Sequence, residues 1–241
     1  MNNFSKTFES HTLKYWSNRK NINKAEQYIF SKYLKNKNNS ILDAGTGSGI
    51  LAFYFEQALG FKNIVAFDII PKMIDIAKEK ASIIKSNINF QVADASSLQT
   101  LKDESFDYLC YLQQIICMVP QSKLNDALKE AHRLGKKDSL YFFSFLNWNS
   151  RWYNPFLSFA LNSTRFLKGN PFQKYYLPEV KLKGKLNLDF FKSDQHPILW
   201  IKKNDIEKLL HKNGFSIESI FTEYELTNKK GSNIYVICSK S

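Results

Sequence analysis

The chain predicts an α/β domain built on a doubly wound, mostly parallel sheet of seven strands. Three observations carry this. Apolar strand-like runs alternate with helical periods between residues 40 and 146. A glycine-rich stretch sits directly after the first of those runs, and two further strand-like runs lie close together near residue 240. Such alternation implies crossover connections and a sheet covered on both faces.

The elements follow in order. Ile22, Ala25, Ile29, Phe30, Tyr33 and Leu34 recur at a helical period, which residues 36–40 break. Residues 40–44 form strand one, and 50–59 a helix closed by Gly60. Residues 63–68 form strand two. A helix over 71–84 opens with Pro71, where a missing N–H costs nothing. Residues 88–93 and 106–113 are strands three and four. A helix over 121–134 closes at Gly135, before strand five at 139–146. After a break, a helix over 203–213 ends at Gly214. Strands at 216–226 and 233–239 flank a turn at 227–231. A parallel crossover needs roughly a dozen residues, so these two must pair as an antiparallel hairpin.

Length and composition bound the rest. The 241 residues suit one domain, and 44% hydrophobic residues suffice for a core. No run approaches the roughly 18 apolar residues of a membrane span, and the N-terminus lacks a signal-peptide core. Cys110, Cys117 and Cys238 sit in apolar stretches without metal spacing, which predicts reduced, buried thiols, a cytoplasmic protein and no metal. The formal charge is +12, and only four of 34 basic residues are Arg. Residues 1–40 carry eight basic and two acidic groups, and residues 147–197 carry eight and three. Residues 41–146 are near balance, with eleven and twelve. The excess is either a solvated Lys-rich surface or a cover that attracts an anionic substrate or surface.

Asp43 to Gly49 reads Asp-Ala-Gly-Thr-Gly-Ser-Gly, after the apolar pair Ile41 and Leu42. Glycines let a backbone turn sharply and approach a ligand, and the next helix points its N–H groups there. The dinucleotide fingerprint G-x-G-x-x-G fails, because its third glycine would fall at Ile50. An acid two positions before the first glycine would repel a pyrophosphate and suits a cationic cofactor. Here the chain resembles the class I S-adenosylmethionine-dependent methyltransferases, whose first motif is D-x-G-x-G-x-G. The resemblance covers residues 40–146 and 198–241. It includes Ser105-Phe106-Asp107 at the start of strand four and the terminal hairpin of a Rossmann-like sheet.

The resemblance implies S-adenosylmethionine as cofactor and a role for each strand end. Asp43, Gly45, Gly47 and Gly49 would pack on its methionine part and ribose. Asp68, ending strand two, would accept from both ribose hydroxyls, with Ile69 beside the adenine. Asp94 would accept from the adenine amino group, and the N–H of Ala95 would meet a ring nitrogen. The alternative for Asp94 is an N-cap for the segment that follows. Gln113 would reach the cofactor or line the transfer site, though alternation leaves it unseparated from Gln114. Tyr15 and Arg19 would cover the methionine chain, or simply pack and face solvent.

The organisation that follows is a single domain over 1–241. Residues 1–39 are an N-terminal helical cover and 40–146 the cofactor-binding core. Residues 147–197 are an aromatic-rich lid insertion, and 198–241 the last helix and hairpin. In-line methyl transfer from a sulfonium dissipates charge, so a dry, well-aligned site favours it. The aromatics of the lid suggest a small hydrophobic or aromatic acceptor, and its lysines an anionic group on it. The alternative acceptor is RNA, such as tRNA, held by the basic lid. A general base is needed only for a protonated acceptor. His196 is the candidate, with Glu179 and Tyr153 weaker, although a His beside Pro197 is also an ordinary structural residue.

Overall fold

The computed structural model describes residues 22–150, 155–167, 169, 176–177, 181–182, 185–186 and 198–240. Tyr15, Arg19, Tyr153, Glu179 and His196 lie outside the described residues.

Helix α1 (Lys24–Tyr33) starts at Asn23, whose side chain accepts from the Ala25 N–H while the Asn23 N–H donates to Glu26. This reciprocal cap fixes where the helix begins. Then come β1 (Ser40–Ala44), α2 (Ile50–Gln57), β2 (Asn63–Asp68), α3 (Pro71–Ile84), β3 (Asn89–Val92) and β4 (Phe106–Tyr111). A four-residue α4 (Ile115–Met118) and a 3-10 turn (Gln121–Lys123) lead into α5 (Leu124–Leu134) and the long β5 (Gly135–Asn147). Beyond it lie α6 (Pro155–Leu167), β6 (Tyr176–Leu177), and the short antiparallel pair β7 (Lys181–Leu182) and β8 (Lys185–Leu186). The chain continues through β9 (Ile198–Ile201), α7 (Lys203–Lys212), β10 (Phe215–Thr222), α8 (Glu223–Thr227) and β11 (Asn233–Lys240).

The main sheet runs β10-β11-β5-β4-β1-β2-β3. Strands β1 to β5 are parallel, whereas β11 is antiparallel to both β5 and β10. The C-terminal ends of five parallel strands, the start of β11 and the end of β10 therefore share one edge. This is the predicted Rossmann-like, mostly parallel sheet with its terminal hairpin. Strand β9 adds to it by a short parallel pairing with the end of β5.

Successive residues bury on opposite faces. Leu109, Tyr111, Tyr141, Phe143 and Phe145 pack with α5 and α7, while Tyr108, Cys110 and Phe142 pack with α1, α2 and α3. Both faces are covered, so the strands read as unbroken apolar runs rather than as alternation. All three cysteines are buried and unbridged, and burial pushes the Cys117 thiol up to about 12.

Several sequence expectations need correction. Strand four stops at Tyr111, because Gln113 and Gln114 both have positive φ (55° and 68°). Strand five starts at Gly135 rather than at 139, although Gly135 does follow the last helical residue, Leu134, as its C-cap. It is extended and begins β5, where a Cβ would meet the Tyr141 hydroxyl at 1.9 Å. Residues 223–226 are helical, since Thr222 and Glu225 cap each other reciprocally and end the strand. Residues 147–197 also contain regular structure in α6 and the short strands.

Asp107 ties the opposite edge of the sheet. Its Oδ2 accepts from the Ser40 N–H and hydroxyl, both at 2.8 Å, and from Lys136 Nζ at 2.7 Å. Burial works against the charge, but Lys136 and Ser40 hold its carboxyl below the usual range. A depressed carboxylate stabilises the fold above its unfolded pKa and loses that contribution as pH falls through the folded one. Asp107→Asn should therefore lower stability by about 1–3 kcal/mol at pH 7. In denaturant titrations the deficit should shrink as the pH falls below about 4.

Candidate active site at the carboxyl edge of the sheet

The glycine loop is shaped by its own packing. Gly45, Gly47 and Gly49 have φ of 65°, 55° and 89°, a region that side-chain-bearing residues rarely occupy. A Cβ at Gly45 would lie 2.1 Å from Ile115, and one at Gly49 would lie 2.7 Å from Phe53. Two of the three glycines are thus demanded by protein neighbours as well as by the turn. Gly49 N-caps α2 without any side-chain bond, so the first N–H groups of the helix open toward the loop.

Asp68 is the fastener of this loop. Its Oδ2 accepts from the Gly47 N–H at 2.8 Å and its Oδ1 from the Ile70 N–H at 2.9 Å. Each oxygen retains a lone pair for a further donor. Burial raises its pKa, and the Ile70, Gly47 and Ile69 backbones oppose the rise. The Thr46 N–H adds a bond to the Phe67 carbonyl at 2.9 Å, joining the loop to β2 once more.

Asp43 lies beneath, 1% exposed. Its Oδ2 has no hydrogen-bond partner among the described residues. Burial pushes its pKa up to about 7, the Thr46 side chain and Ala52 backbone counteract, and the Glu26 and Asp68 carboxylates add to the rise. The carboxyl is therefore poised between neutral and charged near physiological pH.

Asp94 continues the same edge, since the Ala93 N–H bonds the Asp68 carbonyl at 3.0 Å. Its carboxylate turns to its own neighbourhood. Oδ1 accepts from the Ser96 N–H and hydroxyl (2.9 and 2.7 Å), and Oδ2 from Lys123 at 2.9 Å. Burial would raise its pKa, but Ser96 and Lys123 prevail and lower it. The local-cap alternative from the sequence thus describes two of its bonds. Ala95 is buried beside it, and Ile69 is 62% exposed.

Gln113 and Gln114 are now separated. Gln114 is engaged, with its N–H on Ser144 Oγ at 2.8 Å and its Nε2 on Asn233 Oδ1 at 3.1 Å. Gln113 Nε2 is buried without a partner among the described residues.

Sequence reasoning missed two features. Lys80 reaches over from α3 to Ser48 Oγ at 3.0 Å, and burial lowers its pKa. Glu223 collects a network. Asn23 Nδ2 donates to its Oε1 at 3.3 Å, and Asn233 Nδ2 to its Oε2 at 2.8 Å. Asn23 Nδ2 also donates to the Tyr235 hydroxyl at 3.0 Å. The Thr222-x-x-Glu225 pattern was the available signal that the chain turns here.

A glycine loop after β1, acids at successive strand ends and a sheet closed by an antiparallel pair define a class of enzyme, and comparison agrees. The methyltransferase-domain family matches residues 41–138. The ubiquinone/menaquinone biosynthesis C-methyltransferase UbiE of Rickettsia felis is 30% identical over 210 residues, covering 82% of this chain and 80% of that protein. A Methanosarcina mazei SAM-dependent methyltransferase superposes with TM-score 0.65 at 21% identity, over 88% of this chain and 96% of that one. Burkholderia thailandensis 1,6-didemethyltoxoflavin-N1-methyltransferase, solved with its substrate and S-adenosylhomocysteine, gives TM-score 0.65 at 14% identity, over 98% and 85%. At such identities the solved structures share the fold. The chain belongs to the class I S-adenosylmethionine-dependent methyltransferases. It is an enzyme, and S-adenosylmethionine is its cofactor.

The Asp43 carboxyl allows a test of the electrostatics. A carboxyl whose folded pKa lies above its unfolded value binds its proton more tightly in the native state. The wild type should therefore lose stability as pH rises from about 4 to about 7. Asp43→Asn removes this loss while Glu26 and Asp68 remain. Without ligand, the variant should melt at least about 3 °C above the wild type at pH 8, with a smaller difference at pH 5.5. Equal shifts at both pH values would show that Asp43 carries no such penalty.

Proposed function

We propose that this methyltransferase acts on a small, hydrophobic aromatic acceptor, a ring of the quinol class. The cofactor supplies an electrophilic methyl group on a positively charged sulfur. The observation that carries its placement is the pairing of Asp43's buried, unpartnered oxygen with the Asp68-fastened glycine loop. A cation beside Asp43 would favour the ionised carboxylate and relieve its burial penalty. The residues present therefore fit a ligand bearing sulfonium and ammonium charge.

Within this reading, Gly45, Gly47 and Gly49 take the methionine part and ribose. Asp68 uses its remaining lone pairs on the ribose hydroxyls. Ile69 flanks the adenine, and Asp94 and the Ala95 N–H contact its edge. Tyr15 and Arg19 cover the methionine chain. Gln113 offers its unpaired amide to the acceptor, orienting it for displacement. His196 takes the acceptor's proton, and residues 147–197 exclude water. The acceptor class is supported by the printed function of the Rickettsia relative and by the aromatic content of 147–197. Loss of a phenolic proton makes a ring carbon or oxygen nucleophilic, which is what a base would provide.

Two measurements test this. Asp68→Ala should weaken S-adenosylmethionine binding at least about tenfold in calorimetry. Unchanged affinity would remove Asp68 from the site. Incubated with cofactor and either a prenylated hydroquinone or unmodified tRNA, the protein should yield a methylated hydroquinone by mass spectrometry and leave the RNA unmodified. Methylation of the RNA alone would reverse the acceptor assignment.

A further inference from the structure

The glycine loop offers few handles by which the rest of the protein can hold it. Of residues 45–49, only Thr46 and Ser48 carry side chains. Gly47 and Gly49, on either side of Ser48, are left-handed (φ 55° and 89°), and glycine backbones lose the most freedom on ordering. The Thr46 and Gly47 N–H groups tie the first part of the loop to β2. Ser48, 1% exposed, is held from another direction. Its Oγ accepts from Lys80 Nζ at 3.0 Å, across 32 residues of sequence.

The reach follows from helix geometry. Helix α3 starts at the carboxyl edge, just after β2, and runs away from it, because β2 and β3 are parallel neighbours. Lys80 lies in its third turn, roughly 14 Å from Pro71 along the axis. Side chains on a helix lean toward its N-terminus, so a long one here points back to the edge that the helix left. Met73, Ile74, Ala77 and Ala81 form the buried side of α3, and Lys80 stands half-buried at its border.

The position is unfavourable for an ammonium group. Burial lowers its pKa, and no carboxylate pairs with it among the described residues. It gives up hydration for a bond to a neutral hydroxyl, so Coulomb attraction to an acid does not explain its place. A cation beside a loop that receives a cationic cofactor also works against affinity. Order supplies the compensating gain. A loop already in its bound shape loses less conformational entropy when the ligand arrives.

We propose, on the reading of this loop as the seat of the cofactor, that Lys80 is a positioning residue for S-adenosylmethionine binding. It acts through Ser48 and holds the loop from the α3 side. Asp68 grips Gly47 from β2, and Lys80 grips the next residue from the helix.

Calorimetry of S-adenosylmethionine binding to the full chain tests this with Lys80→Met, Ser48→Ala and the double variant. Lys80→Met keeps the length of the side chain and removes its donors. Each single variant should bind about fivefold more weakly, and the double variant about as weakly as either one, because both changes remove the same bond. The ligand-free melting temperature of Lys80→Met should stay within about 2 °C of wild type. Its Gly47 and Gly49 amides should exchange with deuterated solvent at least about threefold faster than in wild type, while those of β2 keep their rates. Wild-type affinity in Lys80→Met overturns the proposal. So do losses that multiply in the double variant, and loop amides that keep wild-type rates. A Lys80→Met chain that melts far lower or fails to fold would make the residue structural and overturn it as well. Asp68→Ala, measured alongside, separates this inference from the reading it rests on. If both variants bind like wild type, both readings fall; if Asp68→Ala alone binds weakly, only the role given to Lys80 falls.

Discussion

A carboxyl group kept out of water under a left-handed glycine turn is the constraint around which this molecule is arranged. Asp43 could be accommodated cheaply if it pointed to solvent, yet it is 1% exposed with one oxygen unpartnered among the described residues. Burying such a group opposes folding unless a ligand or proton compensates. The turn above it is equally constrained, because Ile115 and Phe53 occupy the space that side chains at Gly45 and Gly49 would need. Asp68 then locks the turn to β2 through the Gly47 N–H. Local strain and desolvation are concentrated at one edge, and the two aromatic-rich layers across the sheet hold it in place.

The same edge is joined across the sheet by polar contacts rather than by packing. Gln114 bonds Ser144 of β5 and Asn233 of β11, Asn233 bonds Glu223, and Glu223 bonds the Asn23 cap of α1. The start of α1 is therefore coupled to the loop after β4 through side chains on both sides of the last strand pair. A shift of α1 would be felt at Gln113 and Gln114, whose left-handed backbone leaves little freedom to absorb it. Networks of this kind favour one arrangement because each lost bond would leave a partly buried polar group unpaired.

Much of this was legible in the residues. Alternating apolar runs and helical periods located the five parallel strands, since each run is buried on both faces and each helix has one apolar side. Pro71 and the Asp-Ala-Gly-Thr-Gly-Ser-Gly stretch marked a helix start and a turn through backbone chemistry that few other residues share. What escaped depends on distant partners. The end of β4 at Tyr111 is set by left-handed Gln113 and Gln114, which no local propensity announces. Gly135 stops its helix as glycine often does, but that it must be glycine comes from Tyr141 and Ser139 folding back against it. Glu223 joined the network through a bond from Asn23, 200 residues away in sequence, and through bonds from Asn233, ten residues on. The bonds of Asp94 to Ser96 show the converse, a local alternative satisfied in full view of the sequence.

Strand β11 occupies the gap between β5 and β10, although it is synthesised after both. Without β11, β5 and β10 would face each other with unpaired amides and carbonyls across an empty slot. Unpaired strand edges of that kind offer a template to other extended segments. The eight residues Asn233–Lys240 fill that slot, antiparallel to both neighbours. Shortening β11 would therefore open a seam through the middle of the sheet instead of trimming its border.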